Sequence, residues 1–124
     1  MNRTSYEYQI EDGDIVVINR DNGKVHWRGR PKGYPAESVV PVPGDLDAVI
    51  LVPRGEKERG SFRNLIRIDA NGSIVWEAEL PDLGADAYVE VAVRDRRLVG
   101  WSWSAYMVEI NWDTGKIESQ IFTK

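Results

Sequence analysis

The C-terminal part of the chain consists of four short segments in which side-chain character changes with a period of two. These segments are Tyr88–Arg94, Arg97–Trp103, Tyr106–Trp112 and Ile117–Phe122. A period of two is typical of β-strands, and the breaks between the segments are long enough only for tight turns. This pattern constrains the fold more than any other feature, because it predicts a four-stranded antiparallel meander.

The lengths of the turns determine which side chains of this meander share a face. If Asp95–Arg96 and Ser104–Ala105 are both two-residue loops, each strand keeps a fixed register with its neighbours. One face then carries Val89, Val91, Val93, Leu98 and Met107, and the other carries Tyr88, Trp101, Trp103, Tyr106, Val108 and Ile110. Because both faces are largely apolar, we expect both to be covered, by the rest of the chain or by another molecule.

A hairpin formula of a strand, a glycine-containing turn and a second strand occurs three times along the chain. The turn glycines are Gly23, Gly72 and Gly115; Trp27 and Trp76 lie four residues after the first two, and Ser119 occupies that position in the third. Glycine adopts the positive φ that a tight hairpin turn needs. The chain is therefore predicted to contain three related β-sheet units.

The segments between these hairpins are less regular. Strands are predicted at Tyr6–Ile10, Asp14–Asn19 and Asp47–Pro53. The proline-rich stretch from Arg28 to Pro43 can hold at most an edge strand, and we expect the charged stretch from Arg54 to Gly60 to form a mobile tip. No long segment has a helical period.

Composition and repeats together predict one all-β domain. With 124 residues, of which 42% are hydrophobic, the chain is long enough to bury a core. It contains no cysteine, so disulfides, thiol nucleophiles and thiolate metal sites are excluded. We expect residues 1–124 to form about ten antiparallel strands in three blade-like repeats, packed as a sandwich or an incomplete propeller. A closed meander barrel is the alternative.

The three hairpins resemble the repeat of quinoprotein-type (PQQ-like) β-propellers, in which each repeat is a four-stranded blade whose tryptophan packs against the neighbouring blade. The segments that carry the resemblance are Ile18–Trp27, Ile68–Trp76 and Ile110–Ser119. The resemblance implies that Trp27 and Trp76 pack between blades. Three copies are too few for the usual ring of this family, and no residues match its quinone or calcium sites, so no cofactor is expected.

The final stretch also resembles a group of short, stand-alone bacterial proteins of uncharacterised function. The shared features are a Trp-Ser pair, the segments Val108–Ile110 and Asp113–Ile117, and a terminal Phe-Thr-Lys. Small proteins of this kind often act as immunity proteins, which bind and block one secreted toxin domain. The net charge of −4 fits a basic partner, such as a nuclease toxin, better than nucleic acid or an anionic membrane. Because the N-terminus lacks an apolar signal segment, we expect a cytoplasmic protein.

The aromatic residues Tyr88, Trp101, Trp103 and Tyr106 form the predicted partner-binding site. Aromatic side chains offer large contact areas and dominate many protein interfaces. The same residues could instead form the core of a small all-β domain, and the sequence favours this role in the core. Both roles are compatible if the rim of the row is exposed.

A short basic motif offers an alternative function. Arg28-Gly29-Arg30-Pro31-Lys32 resembles the core of an AT-hook, in which two arginines flanking a glycine lie along a narrow A·T-rich minor groove. Arg28, Arg30 and Lys32 are therefore an alternative DNA-binding site, although a solvated loop explains the same residues. A further alternative is an obligate homo-oligomer whose chains complete a propeller ring.

No arrangement of residues in the sequence argues for catalysis. His26, the only histidine, is expected to be an exposed strand residue, and no serine has the surroundings of a nucleophile elbow. The carboxylates around Asp12, Asp45 and Asp82 fit hairpin turns and lack the spacing of a calcium loop. We therefore expect a non-enzymatic protein with no catalytic, metal or cofactor site.

Overall fold

The computed structural model describes residues 5–44, 46–53, 62–81 and 86–123. Within these ranges the secondary structure consists of eleven β-strands without any helix, so no helix that could cross a membrane occurs there. The charged stretch from Arg54 to Gly60, expected to be a mobile tip, lies outside the described residues.

The strands form three antiparallel sheets. Sheet 1 contains β1 (Tyr6–Glu11), β2 (Asp14–Asn19) and β3 (Val25–Gly29). Sheet 2 contains β4 (Ser38–Pro41), β5 (Ala48–Leu51), β6 (Leu65–Ile68) and β7 (Ile74–Glu77). Sheet 3 contains β8 (Tyr88–Arg94), β9 (Arg97–Ser102), β10 (Tyr106–Ile110) and β11 (Ile117–Phe122). Each sheet is a meander, and the described strands do not close into a barrel. The predicted all-β fold with three repeats is confirmed.

Sheet 2 lies between the other two sheets because both of its faces are apolar. Successive residues of a strand point to opposite faces. The first face packs against sheet 1 and contributes Ala48, Ile50, Ile66 and Ile68, while the second packs against sheet 3 and contributes Val49, Leu51, Leu65 and Trp76. The three repeats therefore bury one another's apolar faces, and the core consists of two layers.

The hairpin tryptophans connect each sheet to the next one. The indole of Trp27 lies against Gly72, where an added Cβ would come within 2.2 Å of it, and Trp76 lies in the same way against Gly115, at 2.7 Å. Trp76 Nε1 also donates a hydrogen bond of 2.7 Å to the carbonyl oxygen of Trp112. The packing between blades that was expected for Trp27 and Trp76 is confirmed.

The predicted face of Val91, Val93 and Leu98 is confirmed, but the predicted faces of β10 are wrong, because the loop after β9 is longer than expected. Met107 pairs with Trp101, so this loop has three residues rather than two, and it ends at Ala105 with a φ of 69°. The added residue shifts β10 by one position and turns each of its side chains to the other face. Consequently Trp101 shares its face with Met107 and not with Val108.

The predicted face of Tyr88 in β8 is also wrong, because a bulge lies between Tyr88 and Glu90. The bulge places Tyr88 in the core that also holds Leu98 and Val108, between sheets 2 and 3. The two-residue loop predicted at Asp95–Arg96 is confirmed, since Arg94 pairs with Arg97.

The expectation that both faces of sheet 3 are covered holds for its inner face, which packs against sheet 2. On the outer face, no companion sheet lies among the described strands. Charged groups shield this face instead. The Arg94 guanidinium lies 4.9 Å from the ring centroid of Trp101, and Arg97 pairs with Glu109 at 3.0 Å.

Candidate functional site

A cleft of about 400 Å³ lies at the end of the molecule where β4 and β8 begin and β5 and β9 end. It is lined by Glu37, Pro53, Ala87, Tyr88, Val89 and Trp103. Its volume falls within the range of small ligand pockets. Two of the four residues predicted to bind a partner, Tyr88 and Trp103, therefore meet at one site.

Trp103 is largely exposed in this cleft, with 72% of its surface accessible. Its backbone is nevertheless held firmly. The N–H of Trp103 donates to the Ala87 carbonyl at 2.8 Å, and the carbonyl of Ala105 accepts the N–H of Thr123 at 2.7 Å. Trp103 is thus an exposed aromatic side chain on an ordered loop, and it does not contribute to the core.

A buried carboxylate next to Ala87 of the cleft lining fixes the same loop. Asp86 is fully buried, and its oxygens accept the N–H of Ala87 at 2.9 Å and the N–H and Oγ–H of Ser104 at 3.1 and 2.7 Å. Ser102 Oγ lies 2.9 Å from Ser104 Oγ and extends the network. All of these donors are neutral, and no cation pairs with Asp86 among the described residues. In the sequence, Asp86 is one of the carboxylates around Asp82 that fit a turn, and nothing there reveals this positioning role.

Tyr88 lines the cleft and belongs to the core. Its hydroxyl donates to the Glu79 carbonyl at 2.6 Å, and its backbone exchanges two hydrogen bonds of 2.7 Å with the Asn64 side chain. Burial raises the pKa of the Tyr88 phenol, and the nearby charges of Asp86 and Glu79 raise it further. Tyr88 is therefore a neutral structural group whose side chain only partly reaches the cleft.

Glu37 supplies a carboxylate to the cleft wall. Its backbone N–H donates to the Leu51 carbonyl at 2.8 Å, which fixes the chain just before β4. The side chain is exposed and makes no hydrogen bond or ion pair within the described part of the chain. A charged acceptor is thus available to a ligand.

The other two predicted partner-binding residues lie elsewhere. Trp101 is half-buried on the outer face of sheet 3, below the Arg94 guanidinium. Tyr106 packs against the core between sheets 2 and 3, with its ring centroid 5.4 Å from that of Phe122. The four aromatic residues do not form one row, because the longer loop after β9 and the bulge in β8 turn Trp101 away from Tyr88.

The residues of the AT-hook-like motif are engaged in ion pairs. The Asp14 carboxylate accepts Nε–H from Arg30 at 2.7 Å and from Arg28 at 2.9 Å, and Lys32 pairs with Glu77. The hydrogen bonds from Arg30 and Arg28 hold the pKa of Asp14 below its usual value, and the bond to Asp14 raises the pKa of Arg28. Arg28 lies in β3 rather than in a loop. Arg28 and Arg30 thus both contact Asp14, and their role as an alternative DNA-binding site stays a prediction.

His26 is exposed, as expected, and makes structural contacts. Its Nε2 lies 2.9 Å from Asn71 Oδ1, and its ring centroid is 4.8 Å from that of Tyr6. Within the described ranges, no three or more His, Asp or Glu side chains cluster in a way that could hold a metal ion. We take the cleft beside Trp103 as the candidate site, because it brings together two of the predicted partner-binding residues.

The sequence from residue 34 to residue 122 matches the family described as "Domain of unknown function (DUF7957)". The matched region contains sheets 2 and 3 and every residue that lines the cleft. Among proteins with curated descriptions, none matches the sequence significantly.

Two solved structures are similar in fold. BamB from Moraxella catarrhalis, a β-propeller protein, superposes with a TM-score of 0.59 at 16% identity, covering 98% of this chain and 35% of BamB. A protein of unknown function from Bacteroides caccae superposes with a TM-score of 0.58 at 14% identity, covering 96% of this chain and 40% of that protein. The chain thus spans well under half the length of either structure. These similarities show a propeller-like fold.

Proposed function

This chain belongs to the DUF7957 family of domains of unknown function, and we propose that it acts by binding another protein at the cleft beside Trp103, without catalysis. The observation that carries this proposal is the exposed indole of Trp103 on a loop that Asp86 and Ala87 hold in place. A large aromatic side chain in this setting is typical of interface hot spots.

Preorganisation makes this indole an effective contact. Trp103 lies on a loop that is already hydrogen-bonded, so a partner has little backbone to order when it binds. Burying the exposed part of a tryptophan removes enough apolar surface to supply on the order of 3 kcal/mol. The apolar walls at Pro53 and Val89 extend the contact area around the indole.

Within this role, we propose that the chain neutralises a toxin as an immunity protein, with a basic toxin domain as its partner. The net charge of −4 supports a basic partner, as do the carboxylate of Glu37 in the cleft wall and the buried carboxylate of Asp86 next to Ala87. This proposal implies that the chain acts in the cytoplasm. That location stays a prediction, and cell fractionation is the measurement that checks it.

Co-expression with the product of the adjacent reading frame tests the proposal. We expect the two proteins to co-purify and the chain to rescue growth of cells that produce the adjacent product. Trp103→Ala is expected to weaken binding by about 30-fold or more. Trp101→Ala is the matched control, because it removes an indole from the outer face of sheet 3 and should leave affinity unchanged.

Two results would contradict the proposal. If the Trp103→Ala variant and the unsubstituted chain bind the partner with equal affinity, the cleft is not part of the interface. Absence of both co-purification and growth rescue would end the immunity hypothesis.

The homo-oligomeric alternative has its own test. Ser119 stands where Trp27 and Trp76 stand in the first two repeats, so the outer face of sheet 3 lacks the indole that secures the two internal interfaces. A solution mass of 14.1 kDa, that of one chain, would contradict an obligate oligomer.

A further inference from the structure

The cleft beside Trp103 carries a negative charge that no described cation offsets. Glu37 lines the cleft with an exposed carboxylate that makes no ion pair, and the buried Asp86, which precedes Ala87 of the cleft lining, has only neutral hydrogen-bond donors around its oxygens. A charge surrounded by neutral donors keeps its long-range field. A cationic group entering the cleft would therefore be stabilised by the Glu37 carboxylate, and the negative charge of Asp86 acts in the same direction.

The walls of the cleft suit a long side chain whose end is charged. Pro53, Ala87 and Val89 offer apolar surface along which a chain of methylene groups can lie. The indole of Trp103 offers a π-face, which attracts a cation and stacks favourably with a planar one. A neutral apolar side chain would instead bring Glu37 out of water without giving it a partner, which costs free energy.

From these features we infer that the cleft takes an arginine side chain of the protein partner. The guanidinium lies on the Trp103 indole and pairs with the Glu37 carboxylate, and the aliphatic part of the side chain packs on Pro53 and Val89. Arginine is favoured over lysine because its planar, forked cation can stack and form two hydrogen bonds to a carboxylate at once. This inference rests on the proposed function, since it concerns the chemistry of the same site.

Two short peptides provide the test. Acetyl-Gly-Arg-Gly-amide and acetyl-Gly-citrulline-Gly-amide have the same shape, but only the first is charged. Each is titrated into the ¹⁵N-labelled full-length chain, and the indole N–H signal of Trp103, assigned by its loss in Trp103→Phe, is followed by NMR. We expect the arginine peptide to shift this signal with a dissociation constant about fivefold or more below that of the citrulline peptide.

Variants that remove one carboxylate charge identify the residue responsible for the arginine preference. Glu37→Gln should reduce the arginine preference to nearly none, whereas Glu90→Gln, which removes an exposed carboxylate outside the cleft, should leave it unchanged. Equal binding of the two peptides, an unaltered preference in Glu37→Gln, or no shift with either peptide would overturn the inference.

The failure of this inference and that of the proposed function are distinguishable. If both peptides shift Trp103 equally, the cleft binds peptides without selecting a cation. If neither peptide shifts it but the co-purified partner is still lost on Trp103→Ala, the binding role stands and the arginine assignment falls. Retention of the partner by Trp103→Ala overturns the binding role itself.

Discussion

Trp76 of sheet 2 lies against Gly115 of sheet 3, and its Nε1 donates to the Trp112 carbonyl of the same turn at 2.7 Å. Trp27 and Gly72 repeat the contact one sheet earlier. An indole can approach a turn this closely only where the turn residue lacks a Cβ. The pairing of a tryptophan with the next turn's glycine therefore fixes both the distance and the register between consecutive sheets.

This pairing predicts unequal effects for the same substitution at three equivalent turns. Gly23, Gly72 and Gly115 all have a positive φ, but only the space beside Gly23 is open. We expect Gly23→Ala to lower the free energy of unfolding by about 1–2 kcal/mol, the cost of the backbone conformation alone. Gly72→Ala and Gly115→Ala should each cost about 1–3 kcal/mol more because the methyl group displaces the indole. Urea unfolding measures the difference, and equal losses at the three sites would contradict the contact.

The two tryptophans Trp76 and Trp103 should differ sharply in their effect on stability. Trp76 is 8% exposed and packs in the core between sheets 2 and 3, whereas Trp103 is 72% exposed. Trp76→Ala should lower the free energy of unfolding by about 3–5 kcal/mol, and Trp103→Ala should change it by about 0.5 kcal/mol or less. Thermal unfolding followed by far-UV circular dichroism checks both values. A large loss in Trp103→Ala would mean that this indole serves the fold rather than binding.

The loop of Trp103 should depend on a single buried carboxylate. Asp86→Ala leaves the N–H of Ala87 and both donors of Ser104 without their acceptor, so we expect a loss of at least about 2 kcal/mol. Hydrogen exchange at the Ser104 amide should accelerate, and partner affinity should fall although Trp103 is intact. Asp21→Ala removes an exposed carboxylate and is the control, which should change neither the hydrogen exchange at Ser104 nor the partner affinity. Unaltered exchange at Ser104 in Asp86→Ala would contradict the positioning role.

The sequence predicts the parts of this fold that depend on neighbouring residues. The turn glycines, the alternating strands and the two-residue loop at Asp95–Arg96 are local features, and all are found. The loop after β9 is not local, because it is held by Asp86, 18 positions before Ser104, and by Thr123, 18 positions after Ala105. A one-residue change in that loop decides the face of every side chain in β10, so the aromatic row could not be deduced.

The basic motif from Arg28 to Lys32 shows the same limit of prediction from neighbouring residues. Arg28 and Arg30 resemble an AT-hook when the motif is considered alone, but antiparallel pairing of β2 with β3 places Ile15 opposite Gly29 and so brings Asp14 beside both arginines. A bulge between Val17 and Ile18 shifts the register by one residue, so extending the pairing from the Gly23 turn would have placed Asp14 opposite Gly29 and missed these ion pairs. The candidate cleft could not be found from hairpin registers either, because its lining comes from four separate segments of the chain.

The ion pairs of Asp14 predict a pH-dependent contribution to stability. Hydrogen bonds from Arg30 and Arg28 hold the pKa of Asp14 in the folded chain below its ordinary value of 3.8. A carboxyl whose pKa is lower when folded stabilises the fold at pH values above its unfolded pKa, and this contribution is lost as the pH falls through the folded pKa. Asp14→Asn should therefore lower the urea midpoint at pH 7 by a small amount, since the pairs are solvent-exposed.

The difference between the unsubstituted chain and Asp14→Asn should shrink as the pH falls below about 4 and disappear below the folded pKa of Asp14, where both chains lack the charge. Urea midpoints measured at several pH values over this range check the prediction. Asp21→Asn is the control, because the exposed Asp21 carboxylate makes no hydrogen bond or ion pair within the described ranges. If the Asp14→Asn difference stays constant from neutral to acidic pH, then the variant acts through packing or backbone effects and the ion pairs contribute nothing measurable.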